Sequence, residues 1–323
     1  MSSIPVTSSA FDTDCRSRAD ARNDRIFRRI LKFCALLVLA ALLGAALSTL
    51  WGGREILFGQ GLHFLTSTAW NPVDDDYGAL APVFGTLATS LVAVVLAVPV
   101  SFGVAMFLTE IAPNWLRAPA STAVELLAAI PSIIYGMWGL FVFVPFMASI
   151  EPALTDTLGR IPLFGKLFQG PPLGLGLLTA GIVLAVMILP FITSVMREVF
   201  LTMPTRLKES AYALGSTRWE VLWDIVLPYT RSAVIGGIIL GLGRALGETM
   251  AVTFVLGNSY NITSSLLMPG TSISSSIANE FNEAVGLHRS ALIALGFLLF
   301  VVTFIVLLIA RLMLRQLARR EGR

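Results

Sequence analysis

The sequence predicts an all-α membrane protein with six transmembrane helices. Three observations carry that expectation: an apolar composition, six runs of spanning length, and a lopsided placement of arginine and lysine. Of 323 residues, 55% are hydrophobic and only 13% are charged, and the mean hydropathy is +0.79. A water-soluble domain lacks the interior to hide that much apolar surface, so repeated crossing of a bilayer is the default. The net charge of +3 says little by itself. Membrane lipid is the expected surrounding, and no nucleic-acid partner is expected.

In chain order, residues 1–29 read as a polar tail rich in Ser, Asp and Arg, expected to be disordered through about residue 25. The first span is Ile30–Trp51. Its apolar stretch of roughly 20 residues exceeds the core of a secretory signal, so it reads as a retained anchor. The second and third spans are expected at Leu80–Leu108 and Val124–Met147, with Pro99 and Pro131 as candidate kinks because each removes an intrahelical hydrogen bond. The fourth, fifth and sixth follow at Leu173–Met196, Ser232–Leu256 and Ala291–Leu314. Residues 80–314 form one transmembrane domain, and 315–323 a basic tail.

Basic residues set the orientation. With the N-terminal tail in the cytoplasm, the even-numbered loops and the C-terminus also face inward. Eighteen of the 23 basic residues then lie inside, four (Arg54, Arg160, Lys166 and Arg289) lie outside, and Arg244 falls within a span. Both termini are therefore expected in the cytoplasm.

The inner loop between spans four and five carries Glu209-Ser210-Ala211, then Gly215, then Ile225, Leu227 and Pro228. The spacing resembles the cytoplasmic coupling loop of ATP-binding-cassette (ABC) importer permeases, E-A-A-x3-G-x9-I-x-L-P, with Ser210 as the one departure. Residues 205–228 read as two short helices broken at Gly215, which permits a turn that a side chain disfavours. Thr205 is a candidate cap for the first, with Leu207, Ala211 and Leu214 on one face. Trp219, Leu222, Trp223 and Val226 form a stripe on the second, and Pro228 is expected to stop it. Such a knob suits a groove on a soluble partner. The plainer reading is an amphipathic segment resting on lipid headgroups.

The fifth span contains Arg244 and Glu248, four residues apart and so on one helix face. Gly237/Gly241 and Gly243/Gly247 let neighbouring helices approach. An arginine at mid-bilayer costs about 2.5–3.5 kcal/mol on insertion scales and tends to face an aqueous path or a partner. Its guanidinium fork suits an oxyanion, with Glu248 as counter-ion while the path is empty. The plainer reading is a packing salt bridge. Glu125 is a weaker candidate, pairing with Arg117, with Arg244 or with another subunit, and Thr249 is another for path or structure.

The run from Gly241 to Thr253, the run Glu125–Gly136, the early stretch Leu80–Thr86 and the outer loop from Leu267 to Ala284 together resemble phosphate importer permeases, and within them the PstC type more than the PstA type. The resemblance implies a type I ABC importer permease, a five-helix core with an added N-terminal helix, in the bacterial cytoplasmic membrane. It implies a PstA-like second permease subunit, two ATP-binding ATPase subunits docked on the coupling loops, and an extracytoplasmic phosphate-binding protein. Arg244 and Glu248 match positions that family associates with the phosphate path. The resemblance also implies that this subunit is non-catalytic and binds no cofactor, ATP and Mg being held by the ATPases. Ser272–Phe281 is expected as a short outer helix, with Glu280 and Glu283 reaching outward as a candidate docking surface or a solvated loop.

Other chemistries fare poorly. A phosphate-binding Walker loop is absent, since Gly165-Lys166-Leu167 lacks the hydroxyl residue. Cys15, Cys34, His63 and His288 offer no metal spacing. No histidine falls in a span to serve an intramembrane nucleophile. Two alternatives stay open at this point: a permease for sulfate or molybdate, and an ion-coupled secondary transporter, for which no inverted repeat is evident.

Overall fold

A computed structural model describes residues 10–161 and 165–320. It divides into two compact units, residues 1–51 and 52–323. The first unit contains almost all of α1 (Ala10–Gly52). Residues 10–25, expected to be disordered, continue this helix instead. Ala and Arg are strong helix formers, and Asp24 and Arg28 approach to 3.8 Å at helical spacing. Residues 1–9 lie outside the described set.

The second unit opens with α2 (Arg54–Gly59), α3 (Leu62–Thr66) and a two-stranded hairpin, β1 (Trp70–Asn71) with β2 (Asp76–Tyr77). Then come α4 (Leu80–Met106), continued by a wide π turn at Phe107–Ile111, and α5 (Asn114–Ala128). The third crossing is α6 (Ser132–Trp138), a π turn at Gly139–Phe143 and α7 (Val144–Thr157). The fourth is α8 (Leu177–Leu201), followed by α9 (Thr205–Ala213) and α10 (Arg218–Glu220). A π turn at Val221–Val226 leads into α11 (Leu227–Leu246), then α12 (Met250–Leu256), α13 (Ile273–Glu280) and α14 (Gly286–Arg320).

Among the described residues, six helical stretches have the length and apolarity to cross a membrane: Asn23–Gly52, Leu80–Ile111, Ser132–Thr157, Leu177–Leu201, Arg218–Leu246 and Gly286–Leu314. Their number matches the sequence expectation, the boundaries differ, and the third and fifth crossings shift most. The third crossing starts at Ser132, because Pro131 has an extended backbone (ψ 138°) and separates Val124–Ala128 into α5. The fifth starts at Arg218 and ends at Leu246, ten residues early, because the chain leaves the helix at Gly247. Pro228 does not stop its helix either. It sits in the first turn of α11, after a π turn that spares its missing N–H.

The core is built around α8, whose Val183, Leu184, Ile188, Ile192, Met196 and Phe200 are fully buried. Small residues seat its neighbours. A Cβ on Gly181 would lie 2.5 Å from Val92 of α4, and one on Gly241 of α11 would lie 2.6 Å from Ile192. Gly237 likewise faces Val195 at 3.0 Å. These approaches bring α11, and with it Arg244, directly onto α8.

Candidate functional site

The loop motif forms a compact helix–turn–helix knob. Pro204, rather than Thr205, occupies the capping position of α9, which leaves Thr205 as the first helical residue. At the far end Gly215 takes φ +90°. Its N–H donates to Tyr212 O (3.0 Å) and the Ser216 N–H donates to Ala211 O (3.1 Å), the two bonds of a Schellman motif. Thr217 then caps α10: its hydroxyl accepts from Glu220 N (3.3 Å), and Glu220 Oε2 accepts from Thr217 N (2.7 Å). That capping box was legible as Thr-x-x-Glu.

Side chains divide inside the knob. Ala211, Leu222 and Val226 are buried, and Ile225 and Leu227 are half-buried. Glu209, Ser210 and Pro228 are exposed, and Ser210 Oγ donates to Arg206 O (2.8 Å) of its own helix. Leu214 is 88% and Trp219 67% exposed. Of the expected face of Leu207, Ala211 and Leu214, only Ala211 is buried, and Leu214 is the C-terminal cap residue of α9. Outward-facing Leu214, Trp219 and Tyr212 are instead the apolar surface offered to solvent. Lys208 pairs with Glu110 at the end of the second crossing, both being largely buried. Sequence spacing gave no hint of this tie, which joins residues 98 apart in the chain.

Arg244 lies in the last turn of α11, half-buried, its guanidinium carbon over the Phe191 ring of α8 at 5.3 Å from the centroid. Among the described residues it forms no ion pair with Glu248, and its Nε is buried without a hydrogen-bond partner. The expected stacking of the two side chains fails because the helix ends between them. Glu248 Oε1 accepts from Ala251 N (3.3 Å) in the first turn of α12. Thr249 occupies the N-cap position of that helix without a side-chain cap bond, and its carbonyl accepts from Thr253 Oγ1 (2.7 Å). Glu125, on α5, pairs with Arg197 of α8 at 3.3 Å rather than with Arg117 or Arg244.

At the opposite end of the spans Glu280 points inward instead of outward. Its carboxylate accepts from Trp70 Nε1 (2.8 Å) and the Tyr260 hydroxyl (2.7 Å), and it meets His288 Nε2 at 2.9 Å. Trp70 stacks on Tyr260 and Tyr77 on His288. Burial first, then the nearby Asp75 and Glu280 carboxylates, pushes the Tyr77 hydroxyl up to about 12. Glu280 thus holds the outer loops together. Among the described residues there is no cluster of three or more His, Cys, Asp or Glu able to hold a metal.

Among the described residues, six helices long and apolar enough to cross a membrane, an exposed knob continuous with the fifth of them and a half-buried arginine, Arg244, near its far end are the features of a multi-pass membrane protein. Residues 101–319 match the family described as binding-protein-dependent transport system inner membrane component, and the chain belongs to that family. It is 65% identical over 308 residues, 95% of each chain, to the phosphate transport system permease protein PstC of Xylella fastidiosa (strain 9a5c). Identity to the Pasteurella multocida (strain Pm70) protein of the same name is 56% over 299 residues, 92% of this chain and 93% of that one. Among solved structures, a chain of a bacterial alginate ABC transporter, crystallised with its alginate-pentasaccharide-bound periplasmic protein, aligns with TM-score 0.63 at 18% identity. That alignment covers 93% of this chain and 97% of the other. The likeness shows the fold, that of an ABC importer permease, and the chain is a multi-pass membrane protein that works with other transporter components.

Proposed function

We propose that the chain is the permease subunit through which an ATP-driven importer carries inorganic phosphate across the cytoplasmic membrane. The observation that carries this reading is the 65% identity across 95% of both chains to a protein named for phosphate transport. Arg244 supports it chemically, as a guanidinium inside a span whose buried Nε–H has no hydrogen-bond partner among the described residues.

In this reading the knob seats in an ATPase subunit that binds ATP and Mg, while this chain performs no hydrolysis. Closure of two such ATPases pushes α9, and the Lys208–Glu110 pair passes the displacement to the second crossing. The fifth crossing receives it directly, since Arg218–Leu246 is one unbroken helical run. A PstA-like permease subunit completes the pathway and an extracytoplasmic phosphate-binding protein delivers the ion. The excess of inner-loop arginine and lysine supports a cytoplasmic position for the knob and both termini.

Uptake of labelled phosphate by cells lacking their own permease, with and without this chain and its partner subunits, tests the reading. Competition by unlabelled phosphate but not by sulfate or molybdate is expected. Competition by sulfate or molybdate as strong as by phosphate would reassign the cargo, and uptake surviving ATP depletion would remove the ATP-driven mechanism.

A further inference from the structure

Arg244 in the fifth crossing lies against an aromatic ring and, among the described residues, is not paired with a carboxylate. Glu248 would be the natural counter-ion at helical spacing, yet α11 ends at Leu246, the chain turns at Gly247, and Glu248 faces the Ala251 N–H of the next helix. Glu125 is engaged by Arg197. What lies against the guanidinium is Phe191, on the buried core helix and one residue after Pro190. Gly237 and Gly241 hold α11 close enough to α8 for the two side chains to meet.

The two kinds of partner differ in what they leave free. A carboxylate engages the in-plane N–H donors, the same groups that a tetrahedral oxyanion needs. A ring attracts the cation through its π quadrupole and accepts no conventional hydrogen bond from the fork. Arg244 matches the second case: its Nε is buried with no acceptor, and none of its donors has a hydrogen-bond partner among the described residues.

We propose that Phe191 is the positioning residue of the anion path, holding the Arg244 guanidinium in place through its ring so that the N–H fork stays open for phosphate. An arriving oxyanion then has no carboxylate of the described residues to displace from Arg244. The proposal rests on the reading of Arg244 as a phosphate contact.

The test uses the assembled importer and labelled inorganic phosphate, with the amount of complex measured by co-purification and uptake normalised to it. Mono-, di- and trifluorinated phenylalanine at position 191 keep the ring's shape while progressively draining its π charge. The KM for phosphate is expected to rise with each fluorine, reaching about fivefold for the trifluoro form, while kcat moves less. Phe191→Leu is expected to raise KM about tenfold and Phe191→Tyr to stay within about twofold of the parent. A KM indifferent to fluorination overturns the proposal, as does Phe191→Tyr behaving like Phe191→Leu. Arg244→Gln run in parallel separates the two layers. If it leaves uptake intact, Arg244 is not on the path at all. If it abolishes uptake while the fluorinated forms stay normal, only the role of Phe191 is lost.

Discussion

The knob and the arginine site occupy the two ends of the same helical run, and they are built in opposite ways. Every bond that shapes the turn of the knob joins residues within five positions of each other: Ser216 to Ala211, Gly215 to Tyr212, Thr217 to Glu220. The arginine site depends on Phe191, 53 positions away by residue number, and on a helix break that no local cap announces. A docking element must keep its shape while it moves against the body, so short-range bonds suit it. A site for a passing ion must instead change its surroundings, so it draws on neighbouring helices. Four substitutions sharpen or break this contrast.

The largest effect is expected from Arg244→Gln, which removes the charge and should lower phosphate uptake by about 100-fold or more. Co-purification of the partner subunits should persist, because the knob lies at the other end of the run. Loss of assembly instead would show that the two ends are not separable.

Gly215→Val comes next. Nothing lies within 4 Å of the position a Cβ would take, so the cost is purely that of φ +90°, about 1–2 kcal/mol for an ordinary residue and worse for a β-branched one. ATPase co-purification is expected to fall about tenfold, and Gly215→Asn, which tolerates the left-handed region better, to fall less. Equal losses would show that the turn's backbone is not what matters.

Lys208→Met removes one partner of a pair whose side chains are 18% and 12% exposed. Phosphate moved per ATP hydrolysed is expected to drop roughly threefold, since the stranded Glu110 weakens the tie. The exchanged pair Lys208→Glu with Glu110→Lys should recover part of it, and no recovery would remove the electrostatic explanation.

Thr217→Ala should cost the knob about 1 kcal/mol through its cap. Hydrogen exchange over residues 217–222 is expected to quicken about fivefold, with uptake nearly unchanged. A large loss of uptake would mean that the cap does more than hold the turn.

What could be read in advance follows the same division. Six apolar runs are visible because lipid demands long uninterrupted stretches, and the coupling motif is visible because its geometry is contiguous. Thr217 and Glu220, three apart, needed no other part of the chain. The pair expected at Arg244 and Glu248 assumed that four residues of separation implies a shared helix face. Gly247 carried no sign that the helix would stop there, since glycine is common inside membrane helices and the four before it, at 236, 237, 241 and 243, are all helical. The partners of Glu125, Glu110 and Glu280 were hidden for another reason: each lies on a different element, and single-chain spacing contains no information about which faces meet.

One consequence follows from the unbroken course of Arg218–Leu246. From position 218 to Arg244 the rise is about 39 Å at 1.5 Å per residue. Tilting so long a rod by only about 5° about its base swings the guanidinium sideways by roughly 3 Å, the full length of a hydrogen bond. A small nudge at the foot is thereby enough to make or undo the grip on an ion near the tip, with no rearrangement within the rod itself.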